Sequence, residues 1–354
     1  MQAPYSRRKA PGPTATPAKS RPPCAILLVK TSSLGDLVHN LPVVSDLHAR
    51  FPEATIDWVA EEAFAEIPRL HPAVRRVIPV ALRRWRRQLA STATWREMTA
   101  FRRELQSEAY DLVLDTQGLI KSGLIARLAR LAPGGRRVGF AAEAAREPLA
   151  AHFYDAGLVI PKNLHAVLRN RWLAAAAVGA LPDLPLAYGI AAAPLAANWL
   201  PEGPYAVLLT ATSRSDKGWP EADWIALAAA LAALGLRSVL PAGTPAERDR
   251  AMCLADLMAG AVPAPALSIT EIAGLCAGAS LVVGVDTGIT HLAAALGVPT
   301  LALFAASDPL LTGVQAGECD VDRARNLGAA GKPPAAREAI AAAAELLLLG
   351  RTLP

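Results

Sequence analysis

Aromatic residues make up only 5% of the chain. With so few of them, and no nucleic-acid motif beside its basic residues, the sequence gives little support to a nucleic-acid-binding role. Cysteine is equally sparse. Cys24, Cys253, Cys276 and Cys319 form neither a CxxC pair nor a zinc-ligand spacing. That excludes a disulfide framework and points to a reducing compartment. No uninterrupted apolar run reaches the roughly 18–20 residues of a spanning helix, because charge or proline cuts the longest candidates. Residues 1–23 are basic and proline-rich and lack an apolar core, so they are expected to be a disordered tail rather than a secretion signal. Neither GxxxxGK[ST] nor GxGxxG occurs, which removes the two commonest phosphate-loop signatures. No short-period repeat is visible, so a solenoid is excluded.

What is abundant is aliphatic material. Hydrophobic residues make up 53% of 354 positions. That is ample for two interiors, and the length is too great for one ordinary core. Charge is unevenly shared: residues 1–190 carry a net +10 and residues 191–354 a net −5. A basic first half suits an anionic partner, whether nucleic acid, a membrane surface or a phosphorylated substrate. A solvated arginine-rich surface explains the same charge equally well.

Short apolar runs bounded by polar loops predict buried parallel strands at Ala25–Val29, Thr55–Val59, Val77–Val80, Asp111–Asp115 and Arg137–Phe140. Helical stretches are predicted at Leu37–Phe51 and Trp95–Ala109. The second half repeats the rhythm, with strands at Tyr205–Thr210, Arg237–Pro241, Ser280–Val285 and Thr300–Phe304. Its helices are predicted at Glu221–Leu234, Glu247–Met258 and His291–Leu296. Strand and helix alternating in this way imply an α/β fold with two doubly wound sheets. The expected division is a tail over 1–23, a first domain over 24–190, a second over 191–334 and a C-terminal helix over 335–354. In open parallel sheets ligands bind beyond the carboxyl ends of the strands. The loops after Val29, Thr210 and Val285 should therefore hold the chemistry.

Each of those loops carries polar residues of the right kind. Lys30-Thr31-Ser32-Ser33-Leu34-Gly35-Asp36 offers hydroxyls, a glycine and a carboxylate at a helix start. Asp36 there reads either as a functional acid at the cleft mouth or as a helix cap. Thr210 to Pro220 supplies Thr212, Ser213, Arg214 and Lys217 ahead of a helix, a plausible diphosphate site. Gly284 to Leu292 is the most specific segment. Free N–H groups near Thr287 favour an anion, Gly288 is expected to admit a phosphate, and Asp286 and His291 orient a neighbour or hold the loop. Glu247 opens another helix at the same sheet edge, as a ribose-binding acid or a first-turn dipole residue. Arg83-Arg84-Trp85-Arg86-Arg87 gathers four guanidinium groups suited to a multiply anionic partner, and Arg146 adds another cation.

The segments KTSSLGD, IDWVAEEAFAEIP, VIPVALRRWRR, YDLVLDTQGLIKSGLIARLA, AREPLA, SDKGWP and VDTGITHLAAALG together resemble the ADP-heptose:lipopolysaccharide heptosyltransferase family, from about Ile26 to the C-terminal helix. The IDWVAEE and RRWRR stretches resemble its type I branch in particular. The resemblance implies a GT-B fold, two Rossmann-like domains facing a cleft. It also implies inverting transfer of L-glycero-D-manno-heptose from ADP-heptose to the Kdo of Kdo2-lipid A, without metal or other cofactor. On it, Asp36 matches the catalytic base. Thr212, Ser213, Lys217, Glu247, Asp286, Thr287, Gly288 and His291 fall at the donor site. Arg83, Arg86, Arg87 and Arg146 fall at the acceptor site. The chain departs from the family pattern at Gly218, where a histidine is usual, at Ser213, where threonine is common, and in the glycine-poor FAASDP stretch. The expected setting is the cytoplasmic face of the inner membrane, with no nucleic-acid partner. Three other readings compete: a transferase of the second heptose, a sugar-nucleotide epimerase using the same cleft, and a non-catalytic sugar-nucleotide or lipid A binding protein.

Overall fold

Runs such as Ala25–Val29 and Leu281–Val285 contain only aliphatic residues and glycine, and in the folded chain they lie almost wholly buried. A strand covered on both faces has no use for polar alternation, which is why these runs read as continuous hydrophobic stretches. A computed structural model describes residues 22–212 and 214–351. The expected tail lies outside the described residues except for Pro22 and Pro23.

The first half contains strands β1 (Ala25–Val29), β2 (Thr55–Glu61), β3 (Val74–Val80), β4 (Tyr110–Asp115), β5 (Leu131–Phe140) and β6 (Ala156–Leu158). Helices α1 (Leu34–Val38), α2 (Leu41–Arg50), α3 (Glu66–Arg69), α4 (Leu82–Trp85), α5 (Thr92–Leu105), α6 (Ile120–Leu128) and α7 (Ala166–Ala177) connect and cover them. The second half contains β7 (Tyr205–Leu209), β8 (Arg237–Leu240), β9 (Val262–Pro263), β10 (Leu281–Val285), β11 (Thr300–Phe304) and β12 (Ala324–Gly328). Its helices are α8 (Glu221–Ala233), α9 (Pro245–Asp256), α10 (Ile269–Ala277), α11 (Gly288–Ala295), α12 (Pro309–Thr312) and α13 (Ala336–Arg351).

The first sheet runs β3-β2-β1-β4-β5-β6, and the second runs β12-β11-β10-β7-β8-β9. Every strand pair in both sheets is parallel. Counted from its own first strand, each sheet has the same doubly wound order, which reverses direction between β1 and β4 in one and between β7 and β10 in the other. These two reversal points are where a crevice opens at the strand ends. They place the loops after Val29, Asp115, Leu209 and Val285 at the chemistry.

The two halves share packing behind that crevice. Ala273 of α10 and Leu292 and Ala295 of α11 belong to the same buried cluster as Leu37 and Leu41 of the first half. Thr270 donates to Glu66 Oε2 from its backbone N–H at 2.8 Å and from its hydroxyl at 2.6 Å. α13 folds back on the second sheet, where Ala339, Ala343 and Leu346 are buried beside Leu301 and Leu303.

One predicted helix is two. The span Leu37–Phe51 breaks at His39-Asn40, because Pro42 in the first turn of α2 has no N–H to continue the ladder from α1. α1 also begins earlier, at Leu34, where the Ser33 backbone N–H is met by Asp36 Oδ2 at 2.8 Å. The expected strand at Arg137–Phe140 is the end of the longer β5. α6, α7 and α10 had no counterpart in the sequence reading. All four cysteines are free thiols.

Candidate active site

The loop after β1 is held by the loop after β4. Lys30 is buried and its ammonium donates to the Thr116 carbonyl at 2.8 Å. Gln117 Oε1 accepts from the N–H groups of Thr31 at 2.9 Å and Ser32 at 3.2 Å, while its Nε2 donates to the Ser32 carbonyl at 2.6 Å. Asp115 anchors Gln117 in turn, accepting from its N–H at 2.7 Å and from the Tyr154 hydroxyl at 2.7 Å. Burial pushes the Asp115 carboxyl up despite these donors. The result is a fixed platform for α1.

That platform presents Asp36. Its Oδ2 accepts from the Ser33 N–H at 2.8 Å and faces Arg146 Nη1 at 3.5 Å. The capping expectation is therefore realised, and it does not hide the residue. Asp36 keeps 28% of its side chain exposed, and it lines the cleft. A cap oxygen and a carboxylate open to a reactant coexist in one residue.

Across the cleft, Asp286 follows β10 and gathers three donors. Lys217 Nζ lies at 2.6 Å, the Ser307 hydroxyl is in close contact, and His291 Nε2 lies at 3.4 Å. Burial alone would raise the Asp286 carboxyl. The hydrogen bonds from His291, Lys217 and Ser307 outweigh it and hold the group well below the usual carboxylate range. Thr287 caps α11, its hydroxyl accepting from the Ile289 N–H at 3.3 Å. The start of α11 thus faces the cleft with its backbone donors and positive dipole end.

Gly288 has a packing reason beside the one its sequence suggested. A Cβ there would sit 2.5 Å from Leu34 Cδ2 and 2.7 Å from the Gly35 nitrogen. The side-chain space is filled by α1, so the glycine brings the two helix starts together while Gly288 itself lines the cleft. Glu247 lines the cleft and caps α9, accepting from the N–H groups of Thr244 at 2.8 Å and Gly243 at 3.2 Å. Arg214 is exposed, is engaged by Asp216 and does not reach the cleft lining.

One cleft of about 790 Å³ is lined by Asp36, Arg83, Arg146, Thr212, Lys217, Glu247, Asp286, Thr287, Gly288 and His291. The structure therefore brings together residues that the sequence scatters over more than two hundred positions. Arg83 stacks its guanidinium over Phe64, 5.2 Å from the ring centre. Arg87 lines an adjoining depression of about 430 Å³ with Arg83, Arg84, Glu61 and Glu62. Arg86 lines neither. Arg84 is engaged by Glu62 at 2.9 Å and Glu97 at 2.8 Å. Ser213 lies outside the described residues.

Four contributors escaped the sequence reading: Gln117, Phe64, Ser307 and His39. Gln117 was within reach, because Asp115-Thr116-Gln117-Gly118 follows a strand at a reversal point. The others depend on contacts that only the fold creates. Among the described residues, no group of three or more His, Cys, Asp or Glu side chains converges in a form that would hold a metal ion.

The profile of glycosyltransferase family 9 (heptosyltransferase) matches residues 98–329. The chain belongs to that family. Lipopolysaccharide heptosyltransferase 1 of Escherichia coli K12 is 46% identical over 290 residues, which span 81% of this chain and 90% of the relative. The solved structure of the E. coli heptosyltransferase WaaC with ADP superimposes with a TM-score of 0.81 at 40% identity, covering 91% of this chain and 99% of WaaC. E. coli ADP-heptose LPS heptosyltransferase II superimposes with a TM-score of 0.71 at 20% identity over 93% of this chain and 100% of its own, and at that identity it speaks for the fold alone. The chain is thus a glycosyltransferase with the GT-B fold.

Proposed function

We propose that this enzyme transfers L-glycero-D-manno-heptose, with inversion, from ADP-heptose to the Kdo of Kdo2-lipid A, the first heptose addition to the lipopolysaccharide inner core. The observation that carries the reading is the pairing of Asp36 on one wall of a single cleft with Lys217, Asp286 and the start of α11 on the other. The 46% identity to the E. coli type I enzyme supports the choice of acceptor.

Inverting transfer is one displacement. The acceptor oxygen bonds to the anomeric carbon as the bond from that carbon to the β-phosphate oxygen breaks. Asp36 takes the acceptor hydroxyl's proton, a contribution of about 10²–10⁴-fold for a well-placed general base. The departing diphosphate gains charge, which Lys217 and the N–H groups at the start of α11 meet. Asp286, kept ionised by its donors, holds the lysine aimed into the cleft until the diphosphate shares it. Thr212 and Ser213 contribute donor-site hydroxyls and Glu247 accepts from the ribose. Arg146 and Arg83 in the cleft, with Arg87 in the adjoining depression, receive the acidic acceptor, and Arg86 adds to the positive field from outside both cavities. No metal or other cofactor takes part in this scheme.

Among the described residues, no helix is long and apolar enough to cross a membrane. In this reading the enzyme works peripherally on the cytoplasmic face of the inner membrane, where its basic first half meets an anionic lipid.

The test is transfer from ADP-heptose in excess EDTA, with Kdo2-lipid A and heptosylated Kdo2-lipid A as rival acceptors. Product on the former supports the reading. Product on the latter alone makes the enzyme the second transferase. Activity lost to EDTA and restored by a divalent cation contradicts metal independence. ADP binding with no transfer to either acceptor favours a binding protein.

A further inference from the structure

Two histidines from opposite halves of the chain meet at the floor of the cleft. His39 closes α1, three residues after Asp36, and His291 lies in the first turn of α11. Each is 5% exposed. His39 Nε2 and His291 Nδ1 are 3.2 Å apart, with the rings edge to face. The other nitrogen of His291, Nε2, faces Asp286 Oδ1 at 3.4 Å.

These contacts place the protons. Asp286 is ionised and only accepts, so His291 carries its hydrogen on Nε2. His39 Nδ1 is buried with no partner among the described residues, so the His39 hydrogen belongs on Nε2, where it donates to His291 Nδ1, and His291 accepts there. That leaves His39 Nδ1 as a lone pair. A proton there would be a buried donor with nothing to receive it. The groups around His39 oppose a charge as well. Burial acts first, then His291 of α11, His165 at the start of α7 and Lys30 after β1. Asp286 pulls the other way, and the net effect holds the ring neutral. Asn170 of α7 donates to the His39 carbonyl at 3.3 Å, which fixes the backbone that carries the ring.

We propose that His39 and His291 are positioning residues for transfer, a one-way hydrogen-bond relay that registers the helix carrying Asp36 against the loop carrying Asp286 and Lys217. The proposal rests on the glycosyl-transfer reading above and adds to it how the base is held in register with the donor. Neither histidine needs to touch the reacting atoms. The relay is a joint between the halves placed beside the reacting groups, whereas the Glu66–Thr270 joint joins them through α3 and the start of α10. Misplacing a catalytic group by about 1 Å costs about 10²-fold.

Two measurements test it. Nitrogen-15 imidazole spectra of the wild-type protein at pH 7, without substrate, should show His39 neutral, with the hydrogen on Nε2 in both rings and Nδ1 bare. An Nδ1–H tautomer or a charged ring at either position overturns the relay. In transfer assays, His39→Leu should lower kcat by about 10²-fold while ADP affinity by calorimetry stays within a few-fold. His39→Gln, which restores an N–H near the place of Nε2, should recover most of the loss. Equal losses of kcat and ADP affinity that glutamine does not rescue, or a wild-type kcat in His39→Leu, contradict the proposal. A wild-type protein that transfers nothing to Kdo2-lipid A would refute the functional reading, and the spectra would still decide the relay.

Discussion

Asp57 and Asp286 share the marks by which a functional acid is often sought. Both are largely buried, both collect several donors, and in both the hydrogen bonds outweigh burial and hold the carboxyl below its ordinary range. Their surroundings separate them. Asp57 lies near the amino end of β2, where Arg75 binds it through two nitrogens at 2.9 and 2.8 Å, with Arg76 at 2.9 Å and the Tyr110 hydroxyl at 2.7 Å. It lines neither of the two cavities described above, and its partners have further fixed contacts, Arg75 facing Glu108 at 3.8 Å and Arg76 donating to Ser107 Oγ at 2.9 Å. Asp286 lies at the carboxyl end of β10, and its lysine borders 790 Å³ of open space. A perturbed carboxylate marks a network. A donor that can be shared with an incoming ligand marks a site, and the end of the sheet tells one from the other.

The largest effect should come from breaking the closed network. Asp57→Ala removes five hydrogen bonds to a buried carboxylate and should cost about 3–5 kcal/mol of stability, less than their sum at about 1.5–3 kcal/mol each because water re-solvates the partly exposed arginines. Denaturant unfolding measures it. Turnover per folded molecule should remain normal, and a kcat loss beyond the folded fraction would give Asp57 a part in the site.

A somewhat smaller effect separates the two acids from the buried histidines by pH. His71 accepts from the Ala73 N–H at Nδ1, at 3.1 Å, and its Nε2 meets Ser45 Oγ at 3.0 Å. Burial, with His48 nearby, lowers it to about 4, and burial brings His165 to about 4 as well. Between those values and the unfolded value of about 6.5, the unfolded chain binds more protons, so stability falls as pH drops. Asp57 and Asp286 act in the opposite range: their stabilisation is intact above about 3.9 and is lost as pH falls through their depressed values. Acid unfolding should therefore have a histidine phase before a carboxylate phase. His71→Asn, whose side-chain oxygen can still accept from Ala73, should remove about 3 kcal/mol of the difference between pH 7 and pH 4. An unchanged pH slope would show that His71 protonates freely in the folded state.

The smallest of the three concerns the open network. Lys217→Met removes a charge-assisted contact worth about 1.5–3 kcal/mol, so ADP should bind about 10- to 100-fold more weakly by calorimetry. Its unfolding should move less than that of Asp57→Ala. Undiminished ADP affinity would return Lys217 to a structural role and erase the contrast between the two acids.

Much of this arrangement was legible in the sequence, and the exceptions have physical causes. β1, β7 and β10 stood out because a strand covered on both faces is a short apolar run. The loops after them stood out because polar residues directly after such a strand have few structural uses. α7 escaped because its buried side includes Asn170 and Arg171 beside alanines, which erases the helical stripe. α6 escaped because it contains Gly123, a poor helix former required where a Cβ would come within 2.8 Å of Phe153. Gly288 was legible as a close approach, but its packing against α1 was not. The four-arginine cluster was legible as cationic. Its division, with Arg83 in the cleft, Arg84 tied to two glutamates and Arg86 lining neither cavity, depends on the fold of α4.

The central claim is that Asp36 acts on the acceptor and not on the donor, and Asp36→Asn tests it most directly. Asparagine keeps an oxygen for the Ser33 N–H, so α1 should form and the protein should fold. The account predicts kcat for heptose transfer lower by about 10²–10⁴-fold, with ADP affinity unchanged. Near-normal turnover, or a fall in ADP affinity that matches the fall in turnover, would contradict it.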